Sequence, residues 1–395
     1  MIDSNIEEKI QYQYRTLLGR EADPGGLMYW NAEAERTGDI QTVIDGIKTS
    51  IEYKKLLDAR ALHKKTVFSN IACLARPERI EKLTFNGRSR PLTLSVETVN
   101  ICNNDCIICP YSSQTRAHQT MSIELFGKIL DDYTLIGGGN LALTPFVGEI
   151  LLDKHLLTRL EMIKKSGIVS RLSVTTNGVM AHLFDDPTLE YIIHSFYRIW
   201  ISIYGMDAEE YKAMTRKDEY EKALENICRI LRFSKGNIVL GIRHLKKRSS
   251  EDIYKWVENL KNRANYKYPL EVIEDMFVFN NWSIFNTNTK LPFDAKWRPA
   301  PTHMDQCLLP LLYTKITSAG DLSFCACVNF DASEELLLGN IKNYSLLELY
   351  NNEKCRKLWN WKSNGIPEFC RTCSFYQSLD VIEQQPTIFS DLPLG

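Results

Sequence analysis

The sequence carries almost no net charge, since 48 Lys and Arg residues stand against 49 Asp and Glu residues among 395. Such a balance gives no electrostatic reason to expect binding to nucleic acid or to an anionic membrane. No apolar run reaches membrane-spanning length, and the first residues lack the basic-then-apolar order of a signal peptide. We therefore expect a cytoplasmic protein in which cysteines, 11 in all, bind metal rather than form disulfides, while Cys73, Cys228 and Cys355 are expected to be buried core residues.

Three of these cysteines, Cys102, Cys106 and Cys109, are spaced C-x3-C-x2-C directly after an apolar run. Thiolates this close on one loop can converge on a soft-metal site, and cysteine thiolates hold iron–sulfur clusters. Three ligands on a cluster of four irons leave one iron open, where a small molecule can bind and react. A zinc site and a group of buried structural cysteines are the alternatives.

This loop resembles that of the radical S-adenosylmethionine (SAM) superfamily, which follows the first strand of a partial (β/α) barrel. The resemblance implies that Cys102, Cys106 and Cys109 bind a [4Fe–4S] cluster and that SAM chelates its open iron. It also implies that one electron cleaves SAM to methionine and a 5′-deoxyadenosyl radical, which takes a hydrogen atom from the substrate. The cofactor performs the difficult chemistry, and the protein supplies position. A flavodoxin- or ferredoxin-type protein is the expected reductant.

From Pro91 onwards, short β-branched runs alternate with amphipathic helical stretches. Six such alternations predict a parallel sheet, and with the cysteine loop after the first strand they fit a partial (β/α)6 TIM-like barrel. The predicted strands are Leu92–Val99, Leu141–Val147, Leu172–Thr176, Ile199–Tyr204, Ile238–Ile242 and Leu270–Val278. Because active sites in such barrels lie at the carboxyl ends of the strands, the SAM contacts are expected there.

Polar residues at these strand ends resemble the SAM-binding segments of the superfamily. Gly148 and Glu149 are similar to its G-E segment, whose backbone and acidic side chain hold the methionyl ammonium. Thr176 and Asn177 resemble its T-N-G segment, and Ser202 stands where the family places a hydroxyl near the ribose or carboxylate. A guanidinium reads a carboxylate bidentately, so the candidate partners of the SAM carboxylate are Arg216 and Arg243. The alternatives are an exposed helix end for Arg216 and a substrate contact for Arg243.

A second cysteine set follows in the last hundred residues: Cys307, Cys325, Cys370 and Cys373. Gly320 and Asp321 suit a hairpin turn between two strands. The order of cysteine, hairpin, Gly-Asn-Ile and C-x2-C resembles the auxiliary-cluster extension called SPASM, or its shorter relative, twitch. No cysteine follows Cys373, which favours a twitch-like domain with a single closed [4Fe–4S] cluster on four thiolates. A zinc site is the alternative, and Cys327 is an alternative ligand or a hydrogen donor.

The first 60 residues read as helices with a turn through Asp23-Pro24-Gly25-Gly26. The phrase from Tyr14 to Arg20, followed by Tyr29-Trp30, resembles a small bacterial helical domain of unknown function, for which docking or stability is the expected role. The predicted domains are a helical domain at 1–60, a linker at 61–90, the partial barrel at 91–295 and the twitch- or SPASM-like domain at 296–395. The predicted class is α/β, with an all-α domain before the barrel and a small α+β iron–sulfur domain after it.

These features favour an oxidoreductase that dehydrogenates a sugar- or aminoglycoside-like alcohol and passes an electron to the auxiliary cluster. Candidate bases or substrate contacts are Glu97, Tyr204 and His244, each with a structural hydrogen-bonding role as the alternative. Radical epimerisation of a sugar or peptide, with Cys327 or Cys228 as hydrogen donor, is the second hypothesis. Peptide modification is the third, and an iron–sulfur scaffold or electron carrier is the non-enzymatic one.

Overall fold

The computed structural model describes residues 4–18, 22–54, 84–85, 88–89, 91, 93–276, 278–283, 290–301, 304, 307, 309–325 and 329–376. The chain divides into two compact units, Met1–Arg76 with Arg248–Trp256 and Pro77–Lys247 with Val257–Gly395. The predicted domain limits at 60, 90 and 295 stay predictions. Within the described ranges, no helix is both long and apolar enough to cross a membrane.

The first unit contains three helices from the start of the chain, α1 (Ser4–Leu18), α2 (Pro24–Thr37) and α3 (Gln41–Thr49). Asp23 begins α2 by accepting a hydrogen bond from the backbone N–H of Gly26. The Trp30 indole donates to the Tyr14 hydroxyl at 3.0 Å, and a Cβ on Gly46 would lie 1.9 Å from the Trp30 ring. The conspicuous Tyr and Trp residues of this segment therefore pack the three helices together, and the predicted helical unit is confirmed.

The second unit is built on one sheet whose central strands are parallel. A short antiparallel pair precedes it, β1 (Thr84–Phe85) and β2 (Arg88–Ser89). The parallel strands follow chain order and are β3 (Thr93–Val96), β4 (Gly139–Ala142), β5 (Val169–Thr176), β6 (Arg198–Tyr204), β7 (Ile238–His244) and β8 (Glu271–Met276). The helices between and beside them are α4 (Ile123–Leu135), α5 (Leu156–Ser166), α6 (Asp186–Ser195), α7 (Ala208–Thr215), α8 (Tyr220–Phe233) and α9 (Ser250–Ala264). The predicted sixfold alternation is confirmed.

Local sequence explains why these elements begin where they do. Ser122, Asp185 and Asp207 cap α4, α6 and α7 through side-chain oxygens that accept backbone N–H groups of the first turn. The strands carry branched apolar residues, and many of these are buried, as is typical of parallel sheets. The fully buried strand residues include Leu94, Leu141, Ile201, Leu240 and Ile242. The core therefore lies around the sheet, and the polar residues fall at its strand ends.

The last hundred residues extend this same sheet. After the parallel pair β9 (Val278–Phe279) and β10 (Lys296–Trp297), the strands are β11 (Tyr313–Ile316), β12 (Asp321–Ser323) and β13 (Leu337–Asn340). The helices here are α10 (Leu309–Leu312), α11 (Leu346–Tyr350), α12 (Glu353–Leu358), α13 (Trp361–Asn364) and α14 (Glu368–Arg371). The predicted hairpin is β11–β12, closed by Gly320 at φ +97°. Its pairing with the barrel was not predicted: β11 lies parallel to β3, with Lys315 opposite Ser95.

Candidate active site

A cavity of about 410 Å³ lies at the carboxyl ends of the central strands. Its wall combines the cysteine loop after β3 with polar residues that follow β4, β5, β6 and β7. The predicted site residues that line it are Cys102, Cys106, Cys109, Gly148, Glu149, Thr176, Asn177, Ser202, Tyr204 and Arg243. A cavity of this size accommodates a small-molecule ligand. The fold therefore brings the cysteine loop and the strand-end motifs to one place.

Backbone hydrogen bonds hold the cysteine loop. The N–H of Ile107 donates to the carbonyl of Met214 at 2.8 Å, and the N–H of Cys109 donates to that of Cys106 at 3.0 Å. Burial raises the pKa of Cys102 to about 12 and that of Cys109 to about 11, and it raises the pKa of Cys106 well above its usual value. Cysteine binds a metal as the thiolate, and burial disfavours this charged form. The positive charge of a metal centre would compensate that cost and stabilise three thiolates in one place.

Glu149 joins the ends of β4 and β5. Its Oε1 accepts hydrogen bonds from the Thr176 hydroxyl and from a backbone N–H two residues on, and its Oε2 accepts from the Asn177 N–H at 2.7 Å. Burial raises the pKa of Glu149, and these donors oppose that rise. The Asn177 amide donates to Asn103 in the cysteine loop at 2.9 Å. Both carboxylate oxygens thus already have protein donors, and the predicted contact of Glu149 with SAM stays a prediction.

Gly148 allows the segment before Glu149 to lie against the start of the cysteine loop. Its φ is +153°, and a Cβ at this position would stand 2.8 Å from the carbonyl oxygen of Val99 and 3.1 Å from the Cα of Asn100. The next N–H donates to the carbonyl of Ile101 at 2.8 Å. Only glycine combines this backbone conformation with such a close approach.

Tyr204 and Arg243 stand opposite each other in register at the ends of β6 and β7. The guanidinium lies 5.7 Å from the centre of the phenol ring. Burial raises the pKa of Tyr204 well above its usual value, so the phenol keeps its proton at neutral pH. The Arg243 charge opposes the rise that burial causes in the pKa of Cys106 and Cys109. Arg243 is therefore a cation in the cavity wall beside Cys106 and Cys109.

The second cysteine set is also assembled. Burial raises the pKa of Cys373 to about 12 and raises that of Cys370 as well. The charges of the other thiols in the set raise both values further, which shows that Cys307, Cys325, Cys370 and Cys373 lie close together. Cys307, Cys325 and Cys373 are at most 8% exposed. Four neighbouring thiols, of which three belong to buried residues and that of Cys370 to a partly buried one, form a complete donor set for a metal centre.

Trp282 lies between the two cysteine sets. Its indole donates to the backbone carbonyl of Ile108 at 2.9 Å, and its ring meets Phe375 edge-on with centroids 5.6 Å apart. The backbone of Phe375 hydrogen-bonds the Cys373 thiol, and both aromatic rings line the cavity. Neither aromatic residue was predicted as part of the site, because the contact joins residues 174 positions apart.

Residues 96–258 match the model of the radical SAM superfamily, and residues 307–374 match the model of an iron–sulfur cluster-binding domain, SPASM. The chain contains a radical SAM domain followed by a SPASM domain. Its cofactors are SAM and [4Fe–4S] clusters. The resemblance drawn from the cysteine spacing and the strand-end motifs is confirmed.

The chain is similar to several known proteins at low sequence identity. It is 23% identical to the GTP 3′,8-cyclase of Desulforamulus reducens over 152 aligned residues. These residues make up 38% of this chain and 45% of that enzyme. The chain spans about half the length of the curated relatives it matches. The structure of Streptococcus suis SuiB bound to the precursor peptide SuiA aligns with a TM-score of 0.51 at 12% identity. The alignment covers 97% of this chain and 91% of the SuiB chain. The structure of anSMEcpe with bound AdoMet and the Kp18Cys peptide aligns with a TM-score of 0.51 at 14% identity. This alignment covers 72% of this chain and 89% of the anSMEcpe chain.

At these identities the structural likeness extends to the fold alone. The residues of this radical SAM chain nevertheless fit the two cofactors by their own arrangement. Cys102, Cys106 and Cys109, which line the cavity, would hold one [4Fe–4S] cluster through three thiolates, and the second set would hold another through four. In the described part of the chain, no three His, Cys, Asp or Glu side chains converge tightly enough to hold one ion. The thiolates of a cubane bind different irons and so need not converge on one point.

Arg216 lies at the exposed end of α7, which was the alternative given for this residue. It is absent from the described lining of the cavity, and its guanidinium pairs with Asp105 at 2.5 Å while 56% of the side chain remains exposed. It ends α7 in the left-handed conformation, at φ +59°. Exposed pairs of this kind contribute little to stability. Arg243 is therefore the arginine that the fold brings to the cavity, and a SAM contact by Arg216 stays a prediction.

His244 and Glu97 do not line the cavity either. His244 follows Arg243 on β7, so its side chain points to the opposite face, and its Nδ1 lies 2.8 Å from the carbonyl oxygen of Lys246. The Glu97 carboxylate is fully buried and binds Arg116 bidentately. For both residues the geometry supports the structural alternative rather than the role of a base. Cys327 lies outside the described residues.

Lys315 is a further lining residue that was not predicted. It belongs to β11 in the SPASM region, and its Nζ lies 4.2 Å from the centre of the Phe146 ring. The only signal in the sequence is a lysine within the strand Tyr-Thr-Lys-Ile. It reaches the radical SAM cavity because β11 pairs with β3.

Proposed function

We propose that this radical SAM enzyme oxidises a small, sugar-like alcohol to a carbonyl compound, with the second cluster as the electron acceptor. The observation that carries the proposal is the second set of four thiols, which contacts the wall of the cavity through Cys373 and Phe375. Four thiolates occupy every iron of a cubane, so such a cluster has no open position for SAM and is suited to taking up electrons.

The proposed reaction balances with one SAM per carbonyl. When bound, SAM and the first cluster supply a 5′-deoxyadenosyl radical. The carbinol carbon of the substrate gives a hydrogen atom to this radical, the hydroxyl group releases its proton, and the remaining electron passes to the second cluster. The alcohol thereby loses two electrons, and the electron that the second cluster receives replaces the one that cleaved SAM.

The lining of the cavity supports a ring-shaped, polar substrate. The aromatic side chains Tyr111, Phe146, Trp282 and Phe375 offer apolar faces against which a sugar ring can pack. Convergent polar groups, such as Tyr204 and Asn280, are available to fix its hydroxyl groups. The phenol of Tyr204, which keeps its proton, is suited to donate a hydrogen bond to the substrate.

The epimerase alternative requires a thiol that returns a hydrogen atom to the substrate. Cys228, one of its two candidates, is buried on α8, where its thiol donates to the carbonyl of Leu260 at 3.9 Å. It is absent from the described lining of the cavity. The alternative therefore depends on Cys327 alone, which lies outside the described residues.

The test is anaerobic reconstitution of the full chain with iron and sulfide, followed by SAM, a strong reductant and a panel of sugar alcohols. We expect 5′-deoxyadenosine and a carbonyl product in equal amounts, with deuterium transferred from the labelled carbinol carbon to 5′-deoxyadenosine. The Cys102/Cys106/Cys109→Ala variant should form neither product. Cys370→Ala should still cleave SAM but lose the carbonyl product.

Three outcomes would overturn the proposal. The wild type could fail to form 5′-deoxyadenosine with an intact first cluster. The product could be an epimer with solvent deuterium at the reacting carbon. Cys370→Ala could form the carbonyl product as well as the wild type does, which would remove the second cluster from the reaction.

A further inference from the structure

The Cys102 sulfur lies among N–H groups from two segments of the chain. The backbone N–H of Asn104 lies 3.5 Å from it, and the side-chain Nδ2 of Asn177, directly after β5, lies 4.0 Å from it. Sulfur is larger than oxygen, so hydrogen bonds to sulfur are longer than those to oxygen. One donor therefore belongs to the cysteine loop itself, and the other comes from a residue 75 positions further along the chain.

Asn177 also fixes the loop segment that carries the local donor. Its Nδ2 donates to Asn103 Oδ1 at 2.9 Å, and Asn103 Nδ2 donates to Asn104 Oδ1 at 3.1 Å. Asn104 is 2% exposed and Asn177 is 6% exposed, so water hardly competes for these bonds. Hydrogen bonds in series polarise one another in such surroundings. The three amides therefore form a chain that holds the Asn104 N–H toward Cys102.

Each polar atom of the Asn177 side chain already has a partner within the protein. Oδ1 accepts the N–H of Val179 at 2.9 Å, and the backbone N–H of Asn177 donates to Glu149 Oε2 at 2.7 Å. A side-chain amide has two N–H donors, and here they face Asn103 and Cys102. A SAM group that took up either donor would replace one of these bonds. Asn177 instead connects the Glu149 segment to a ligand of the first cluster.

We propose that Asn177 is a positioning residue for the first cluster: it holds N–H donors at the Cys102 sulfur, and these donors raise the reduction potential of the bound cluster. Hydrogen bonds to the sulfurs are one of the factors that set the potential of an iron–sulfur cluster. Reduction adds a negative charge to the cluster, and N–H groups directed at a ligand stabilise that charge. The oxidised cluster therefore accepts the electron that cleaves SAM more readily. This role does not depend on which substrate the enzyme uses.

The test is a redox titration of the reconstituted full chain, followed by electron paramagnetic resonance without SAM and without substrate. The spectrum of Cys102/Cys106/Cys109→Ala identifies the contribution of the second cluster. In Asn177→Asp a carboxylate replaces the amide donors, while an oxygen remains for the Val179 N–H. We expect the ratio of reduced to oxidised first cluster at a fixed potential to fall about tenfold or more, because hydrogen bonds to charged groups are among the stronger ones. For a one-electron couple, a tenfold change corresponds to about 59 mV.

A second substitution separates charge from packing. Asn177→Leu removes the donors without adding charge, so it should lower the same ratio by less than Asn177→Asp does, about threefold. A role in packing alone predicts the opposite order, because Asp retains the size of the side chain and the bond to Val179, whereas Leu loses that bond. Asn226→Leu is the matched control and should titrate like the wild type. Asn226 is also 6% exposed, but its amide donates to the backbone of Lys222 on α8.

Asn103→Leu interrupts the amide chain within the cysteine loop and should also lower the ratio, which decides the matter if the Asn177 variants do not retain the first cluster. The inference is overturned if Asn177→Asp or, in that case, Asn103→Leu titrates like the wild type. It is equally overturned if Asn177→Leu has the larger effect of the two Asn177 substitutions. An unchanged potential in Asn177→Asp together with weaker binding of SAM would make Asn177 a direct SAM contact instead.

Discussion

Glu97 and Arg116 form a bidentate ion pair at the end of the first barrel strand, with Nη1–Oε1 and Nη2–Oε2 distances of 2.5 and 3.0 Å. The Glu97 side chain is fully buried, and that of Arg116 is 11% exposed. The same carboxylate accepts the N–H of Phe146 after β4 and the N–H of Ser318 in the β11–β12 turn. One carboxylate therefore holds together two barrel loops and the SPASM hairpin.

We expect Glu97→Gln to destabilise the protein by about 3 kcal/mol, because it leaves the Arg116 charge buried without its partner. The measurement is anaerobic thermal unfolding of the reconstituted chain. Asp218→Asn, which breaks the exposed pair with Lys212, is the matched control and should change stability by less than about 1 kcal/mol. Equal effects of the two substitutions would show that the Glu97 pair is not a structural centre.

Trp282→Phe should weaken the connection between the two cysteine sets. It removes the hydrogen bond to Ile108, worth about 1 kcal/mol, and leaves an aromatic ring against Phe375. We expect less oxidised product per 5′-deoxyadenosine, because the wall that joins the substrate to the second set is less well fixed. Trp359→Phe is the control, since Trp359 packs on Phe324 and is not among the described lining residues. An unchanged product ratio in Trp282→Phe would contradict the coupling role.

Gly148→Ala should reduce SAM affinity by about tenfold or more, because the added Cβ meets the Val99 carbonyl oxygen and strains a φ of +153°. The measurement is equilibrium binding of SAM to the reconstituted protein. Gly167→Ala is the control, since its φ of +66° is also unfavourable for alanine but its Cβ position has no neighbour within 4 Å. It should lose some stability and keep its affinity for SAM. Unaltered binding by Gly148→Ala would place the SAM pocket elsewhere.

Cys370→Ala should lower the iron content from about eight to about four atoms per chain, because it removes one of four ligands from the second cluster and none from the first. Iron and sulfide analysis with electron paramagnetic resonance of the reduced protein checks this. Cys355→Ala is the matched control, as Cys355 is a buried cysteine of the same region outside both sets, and it should retain all the iron. Loss of both clusters from Cys370→Ala would mean that the two ligand sets are divided wrongly, or that folding depends on the metal.

Strand alternation decides which of two neighbouring candidate residues lines the cavity. Arg243 and His244 were both candidates because both stand at the end of the fifth predicted strand, yet only Arg243 lines the cavity. Adjacent residues of a strand face opposite sides, and the sequence does not say which side is which. The position of Arg216 also depends on a distant residue, because its partner Asp105 is 111 residues away in the sequence and no local pattern predicts that pair.

The sequence by itself determined the features that depend on near neighbours: the C-x3-C-x2-C loop, the alternation of strands and helices, the glycine beside Glu149 and the hairpin closed at Gly320. These follow from ligand spacing, apolar periodicity and turn chemistry, which act over a few residues. Only the tertiary structure decided that β11 pairs with β3 and so brings Lys315 to the cavity. The same holds for Trp282 between the two cysteine sets and for Glu97 bound to Arg116. Such contacts form because many buried surfaces must be satisfied at once, and no single segment encodes them.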